Sequence, residues 1–250
     1  TGTFGTWEET GRYIHLALLA GGIEGLGYGE ALGRFIAGDG ADLPAADELA
    51  SLIAAEPAHE LAAARAALLH AMRNGSAPEG RCNLEHRWKQ ASVVASAYRH
   101  GIPLTVHPGI GYDIISNHPM FNGAAIGRAA HIDFQTFAGT LDQLDGGVLL
   151  SVGSAIMGPQ VFEKALSCVN HIRLQEGREI VKNHSMHVVD LQDGGNWDWT
   201  QGEPPVTSAA YYLRFCKTYA RMGGSMHYLQ CDNLAFVQHL SRALDDADPS

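Results

Sequence analysis

A few histidines, carboxylates and glycines carry whatever chemistry this chain performs. Asp113 and His118 stand close together behind the polar run His107-Pro108-Gly109-Ile110-Gly111, and His118 is the histidine best placed to act as general acid or base. Gly153-Ser154 leaves one short apolar run, Asp190 closes a second and Asp232 follows a third. The stretch from Asp190 to Glu203 gathers Asp193, Asp198 and Glu203 around Trp197 and Trp199. That combination suits a cationic or amine ligand, held by charge pairing and by cation–π contact with the indoles. Ser154 is no nucleophile elbow, because Gly-Ser-Ala-Ile-Met lacks the G-x-S-x-G frame. The histidines contain no H-E-x-x-H, and His184 and His187 straddle a strand start where they point to opposite faces, so no metal site is assigned. Lys217 sits on a helix where a lone lysine is ordinarily solvated.

These residues share one crevice only if the elements between them form a parallel sheet. Val148 to Val152 is too short for a helix, is bounded by glycines and reads as a buried strand. The helix after it tolerates Pro159 in its first turn and puts Val161, Phe162, Ala165, Leu166, Val169 and Ile172 on one face. Met186 to Leu191 is the next strand, completing a βαβ unit. Ile102 to Val106 and Ser225 to Gln230 add two more, so four strands are expected side by side, with ligands at their carboxyl ends.

Helices are expected over Gly5 to Ala20 (Thr6 as N-cap), Glu30 to Ile36, His86 to His100, Gly127 to Leu141, Thr207 to Met222 and Asp232 to Leu244. Two alanine-rich helices near Ala45 to Ala55 and Ala58 to Arg73 lie between loops at Gly38 to Pro44 and Ser76 to Leu84, making 45–84 a small helical annex. The run Gly25-x-Gly27-x-Gly29 resembles a phosphate cradle, but it follows a helix rather than a strand. The fold class is therefore α/β: one domain over 1–250, a parallel Rossmann-like sheet with helices on both faces and the annex.

Composition narrows the functions. A formal charge of −10 and no basic stripe argue against nucleic acid. No apolar run approaches the roughly 20 residues that span a bilayer, and no basic-then-apolar leader is present. Cys82, Cys168, Cys216 and Cys231 form no C-x-x-C pair and read as reduced cytoplasmic thiols. Thirteen histidines is a high number for this length. The chain opens on Thr1-Gly2-Thr3-Phe4 without a methionine, and an N-terminal part of the fold is expected to be absent.

Taken in order, Gly101-Ile102-Pro103 and its strand, Asp113 with His118, Gly153-Ser154-Ala155-Ile156-Met157 before a helix reaching Asn170, the acidic glycine loop from Asp193 to Glu203, and Asp232-Asn233-Leu234 resemble deoxyhypusine synthase from about Arg87 onward. The resemblance implies a Rossmann-type NAD-binding fold and a cytoplasmic transferase working as a homo-oligomer, dimer or tetramer. It implies His118, Lys217 and Asp198 as catalytic, Gly153, Ser154, Asp190 and Asp232 at the NAD cofactor, and Asp113, Trp197, Trp199 and Glu203 around the amine-like small-molecule substrate. Lys217 stands about one position from the family's catalytic lysine and lacks its Trp-Gly-Lys setting. Without an activated lysine the imine step has no nucleophile, so the expectation is a relative acting on an amine or other small polar substrate rather than authentic deoxyhypusine synthesis. The alternatives are a histidine-rich metal-dependent hydrolase and a non-catalytic small-molecule-binding protein.

Overall fold

The computed structural model describes residues 8–247; Thr6, the expected first N-cap, lies outside them. The chain is α/β, with a three-stranded parallel sheet, a small antiparallel pair and nine α-helices among the described residues. It divides into two compact units, Thr1–Phe137 and Ala138–Ser250.

The first unit contains α1 (Glu8–Gly22), α2 (Tyr28–Ala37), β1 (Gly40–Leu43), α3 (Ala46–Ala55), α4 (Ala62–Arg73), β2 (Gly80–Asn83), α5 (Val93–Arg99) and the start of α6 (Gly123–Leu141). Every residue of α1 from His15 onward is buried, as in a helix enclosed on all sides. Leu16 and Leu19 of α1 share a core with Phe35 of α2, Leu49 of α3 and Leu68 and Met72 of α4. The stretch read as an annex therefore has no core of its own. The loops expected on either side of it instead pair as antiparallel β1 and β2, from Gly40↔Asn83 to Leu43↔Gly80. Strands of four residues with no clean alternation leave little periodic signal.

Two further expectations change in this unit. His86 to His100 is not one helix but a 3-10 turn, Lys89–Ala91, followed by α5. Ser92 separates them, its hydroxyl accepting the Ala95 N–H at 3.2 Å as an N-cap. Ile102 to Val106 forms no strand and belongs to no sheet. Pro103 has no N–H to give a ladder, and the Val106 N–H donates to the Asp133 carboxylate at 2.6 Å instead. The sheet accordingly has three strands rather than four.

The second unit is built on β3 (Val148–Val152), α7 (Met157–Gln175), β4 (Ser185–Asp190), α8 (Arg214–Ala220), β5 (Ser225–Gln230) and α9 (Asn233–Ala247). Its strands lie parallel in the order β3-β4-β5, with Leu150↔His187 and His187↔His227 in register. On one face Ser151, Met186, Val188 and Met226 are buried, and Tyr219 of α8 donates its hydroxyl to Ser151 Oγ at 2.9 Å. Phe162, Ala165, Leu166 and Val169 of α7 are buried as the heptad spacing requires, while Ile172 is exposed. Burying each of the larger side chains contributes about 1.5–3 kcal/mol. On the other face Val148 and Leu150 remain 61% and 43% exposed. The helix expected over Thr207 to Met222 shortens to α8, because Leu213 (ψ 74°) is not helical and a separate 3-10 turn, Ala209–Tyr212, precedes it.

Candidate functional site

The carboxyl ends of β3, β4 and β5 lie along one edge of the parallel sheet. Gly153 leaves β3 with φ 70°, a left-handed conformation that suits glycine. Its N–H donates to Val189 O at 3.2 Å, and a β-carbon there would stand 2.5 Å from Asn233 Nδ2. Ser154 Oγ accepts the Gly158 N–H at 2.7 Å, so this hydroxyl caps the first turn of α7. At the tip of β4, Asp190 Oδ1 accepts the Gln192 N–H at 3.0 Å, and its backbone carbonyl accepts the Cys231 N–H at 3.0 Å. Asp232 Oδ1 accepts the Ala235 N–H at 3.0 Å and caps α9. Asn233 then opens α9 with its Oδ1 buried and lacking a donor. Beneath this edge, burial pushes the Cys216 thiol and the Tyr228 hydroxyl up, with the nearby Asp190 charge adding to both shifts. Neither group is an ionised nucleophile at neutral pH.

The loop beyond Asp190 is held largely by its own polar groups. Asp198 accepts the Thr200 N–H at 3.0 Å, the Thr200 hydroxyl at 2.6 Å and the Gln201 side-chain amide at 2.9 Å. Those donors, the Thr200 hydroxyl first, hold its carboxyl below the usual range. Glu203 pairs with Arg221 at 2.5 and 3.1 Å, and this guanidinium holds its carboxyl down as well. Asp193 Oδ1 accepts the Gly195 N–H at 2.9 Å. Trp199 is 3% exposed; Trp197 is half-buried and donates its ring N–H to Gly202 O at 2.9 Å. The cation–π contact in this region places Lys217 Nζ 3.1 Å from the centroid of Tyr211 rather than over either indole. That contact seats the Lys217 side chain against an aromatic face.

His118 and Asp113 belong to the first unit, whereas the other residues singled out above belong to the second. His118 is 4% exposed, its Nδ1 accepting the Met120 N–H at 3.1 Å and its Nε2 lying 2.7 Å from Glu8 Oε2. With Nδ1 accepting, Nε2 carries the proton and donates to the carboxylate. Both ring nitrogens are thus engaged, Nε2 in fastening this residue to α1 and Nδ1 in closing a local turn on Met120. Asp113 Oδ2 accepts the Gly109 N–H at 2.5 Å and closes its own turn.

The first unit also holds a cleft of about 260 Å³, lined by Gly27, Tyr98, Pro103, Leu104, Asp133 and Thr136 among others. Its one signal in the sequence is the glycine run at 25–29. Asp133, 3% exposed, fills the cradle those glycines make: its Oδ2 accepts the Gly29 N–H at 2.9 Å as well as the Val106 N–H. A β-carbon on Gly27 would stand 1.9 Å from Asp133 Oδ1, and one on Gly29 would stand 1.8 Å from Leu104 O. Burial pushes the Asp133 carboxyl up and the backbone donors pull it part of the way back. An anion here would meet a carboxylate already seated.

The chain matches no family model, no curated protein and no solved structure. Among the described residues, no three metal-ligating side chains converge, and no helix is long and apolar enough to cross a membrane.

Proposed function

We propose that the second unit receives a dinucleotide of the NAD type at the edge formed by Gly153, Ser154, Asp190 and Asp232, and that the chain is a deoxyhypusine-synthase-like NAD-dependent enzyme or relative. Its substrate is an amine or other small polar molecule, and its chemistry does not run through an imine on Lys217. The observation that carries this reading is the turn at Gly153: a left-handed glycine at a parallel strand's tip, beside an amide whose buried acceptor lacks a donor. A consecutive βαβαβ segment is the mononucleotide-binding half of a Rossmann fold, and its ligands sit at the carboxyl ends of the strands. Helices on both faces belong to this reading, since parallel sheets are ordinarily covered on both sides.

Bound there, NAD would supply a hydride acceptor. Asn233 Oδ1 would accept from a ligand hydroxyl or amine and so lose the cost of a buried unsatisfied acceptor. Asp190 and Asp232 would present carboxylates to ribose hydroxyls beside the left-handed turn at Gly153. The same proposal takes the protein as a cytoplasmic homo-oligomer, a dimer or tetramer.

Calorimetric titration of the full chain with NAD tests it. The expected result is saturable binding with a rise in melting temperature, weakened by Gly153→Val; no heat and no thermal shift at about 2 mM NAD would sink it. The contact between Lys217 and Tyr211 favours a second reading, a non-catalytic small-molecule-binding protein. For that reading Lys217→Ala leaves NAD binding intact and no amine substrate reduces the bound cofactor.

A further inference from the structure

His187 and His227 occupy matched positions on the neighbouring parallel strands β4 and β5. Matched residues project to the same face of a sheet, and here the two rings stack, with centroids 4.9 Å apart and planes 17° from parallel. His227 is exposed and His187 is half-buried, on the face where Val148 and Leu150 are also open. Neither imidazole makes a side-chain hydrogen bond or ion pair among the described residues. The other histidines discussed differ. His118 spends both nitrogens on its own chain, and His184, immediately before β4, is buried against Gly224.

We propose that His187 and His227 form a two-imidazole site for a late first-row divalent metal ion, copper(II), nickel(II) or zinc(II), with water filling the remaining coordination positions. The site goes beyond the dinucleotide reading and does not depend on it. Imidazole nitrogen suits these three ions, and copper(II) heads their order of affinity. A metal–nitrogen distance of about 2 Å puts two shared nitrogens about 3 Å apart. The ring centroids stand 4.9 Å apart, so binding draws one nitrogen of each ring towards the other by rotation about the side-chain torsions. A ligating imidazole must be neutral. Asp198 lies near His227 but spends its oxygens on Thr200 and Gln201, and so supplies nearby negative charge rather than a ligand.

The test uses the full chain with the metal alone. Nickel(II) calorimetry is expected to give one site per chain, and the electron paramagnetic resonance spectrum of one equivalent of copper(II) is expected to show two equatorial nitrogens. His187→Gln and His227→Gln should each weaken nickel binding about tenfold or more and reduce the nitrogen count to one. His239→Gln, an exposed histidine on α9, should change neither. Circular dichroism melts of the variants check that each remains folded. Absence of any site tighter than about 1 mM, or a site unaffected by both substitutions, overturns the proposal.

Discussion

Both units use glycine to let something approach the first turn of a helix, and what approaches differs. At the start of α2, Gly27 and Gly29 make room for the Asp133 carboxylate and the Leu104 carbonyl, so the cradle is filled from within by a charged group of the same chain. Between β3 and α7, Gly153 makes room for the neutral amide of Asn233, whose Oδ1 is left without a donor. The first arrangement repels a phosphate and stabilises a fold; the second has an unmet hydrogen bond that a ligand could complete. Glycine spacing therefore reports that a backbone is closely approached, and the charge of the approaching group decides whether a ligand can use the space.

The most direct way to break this contrast is Gly29→Ala. Its β-carbon would meet Leu104 O, a backbone atom that cannot swing aside, at 1.8 Å. The expected cost is about 3 kcal/mol or more in urea unfolding of the full chain, since overpacking against a fixed backbone ranks with the large single-residue effects. A cost below about 1 kcal/mol would show that α2 and the 102–106 segment are not clamped together, and the first half of the comparison would fail.

How legible these arrangements were depended on the range of the interactions. The βαβ core of the second unit could be read directly: β3 falls at Val148–Val152 as expected, β5 at Ser225–Gln230, and the face of α7 follows its apolar spacing. Those signals are local and periodic. The 102–106 segment has the same apolar character as a strand, yet its N–H partner is the side chain of Asp133, far along the chain in α6, and no pattern within the segment announces that. β1 and β2 were hidden for a related reason, each being defined only by its partner. At the candidate site, the left-handed turn at Gly153 was foreseeable from its place after a strand. That Asp198 and Ser154 would spend their oxygens on nearby backbone N–H groups follows from their short polar side chains, but only the structure shows those contacts made. Asn233 entered the reading only as a neighbour of Asp232, because an orphaned acceptor is a property of packing.

A smaller effect sharpens the second half of the contrast. Gly153→Ala places a side chain at φ 70°, which costs about 1–2 kcal/mol for an L-residue, and brings its β-carbon 2.5 Å from Asn233 Nδ2. That amide is the end of a side chain and can shift, so the clash adds less than the backbone strain does. Asn233→Ala combined with Gly153→Ala should recover about 0.5–1 kcal/mol relative to the sum of the single changes, a coupling measurable by a double-mutant cycle in urea. Strict additivity would mean that Asn233 does not bear on Gly153, and would remove the packing reason for its position.

The smallest expected effect separates the two turns by charge. Asp133 titrates and Asn233 does not. The Asp133 carboxyl is pushed above its ordinary value by burial, so the folded chain holds that proton more tightly than the unfolded chain does. This contribution is fully present below the unfolded value near 3.8 and is lost as pH rises through the folded one. Asp133→Asn preserves an acceptor for the Gly29 and Val106 N–H groups, both of which bond to a single carboxylate oxygen, and removes the titration. The stability of the parent relative to Asp133→Asn should therefore increase on acidification from pH 7 towards pH 4, read as the difference in melting temperature between the two proteins. Asn233→Ala, compared with the parent over the same range, should show a constant difference. A parent that instead loses ground to Asp133→Asn as the pH falls would mean that the carboxylate is favoured by its backbone donors more than burial disfavours it, and the charge in the α2 cradle would then be a fixed anion rather than a titrating one.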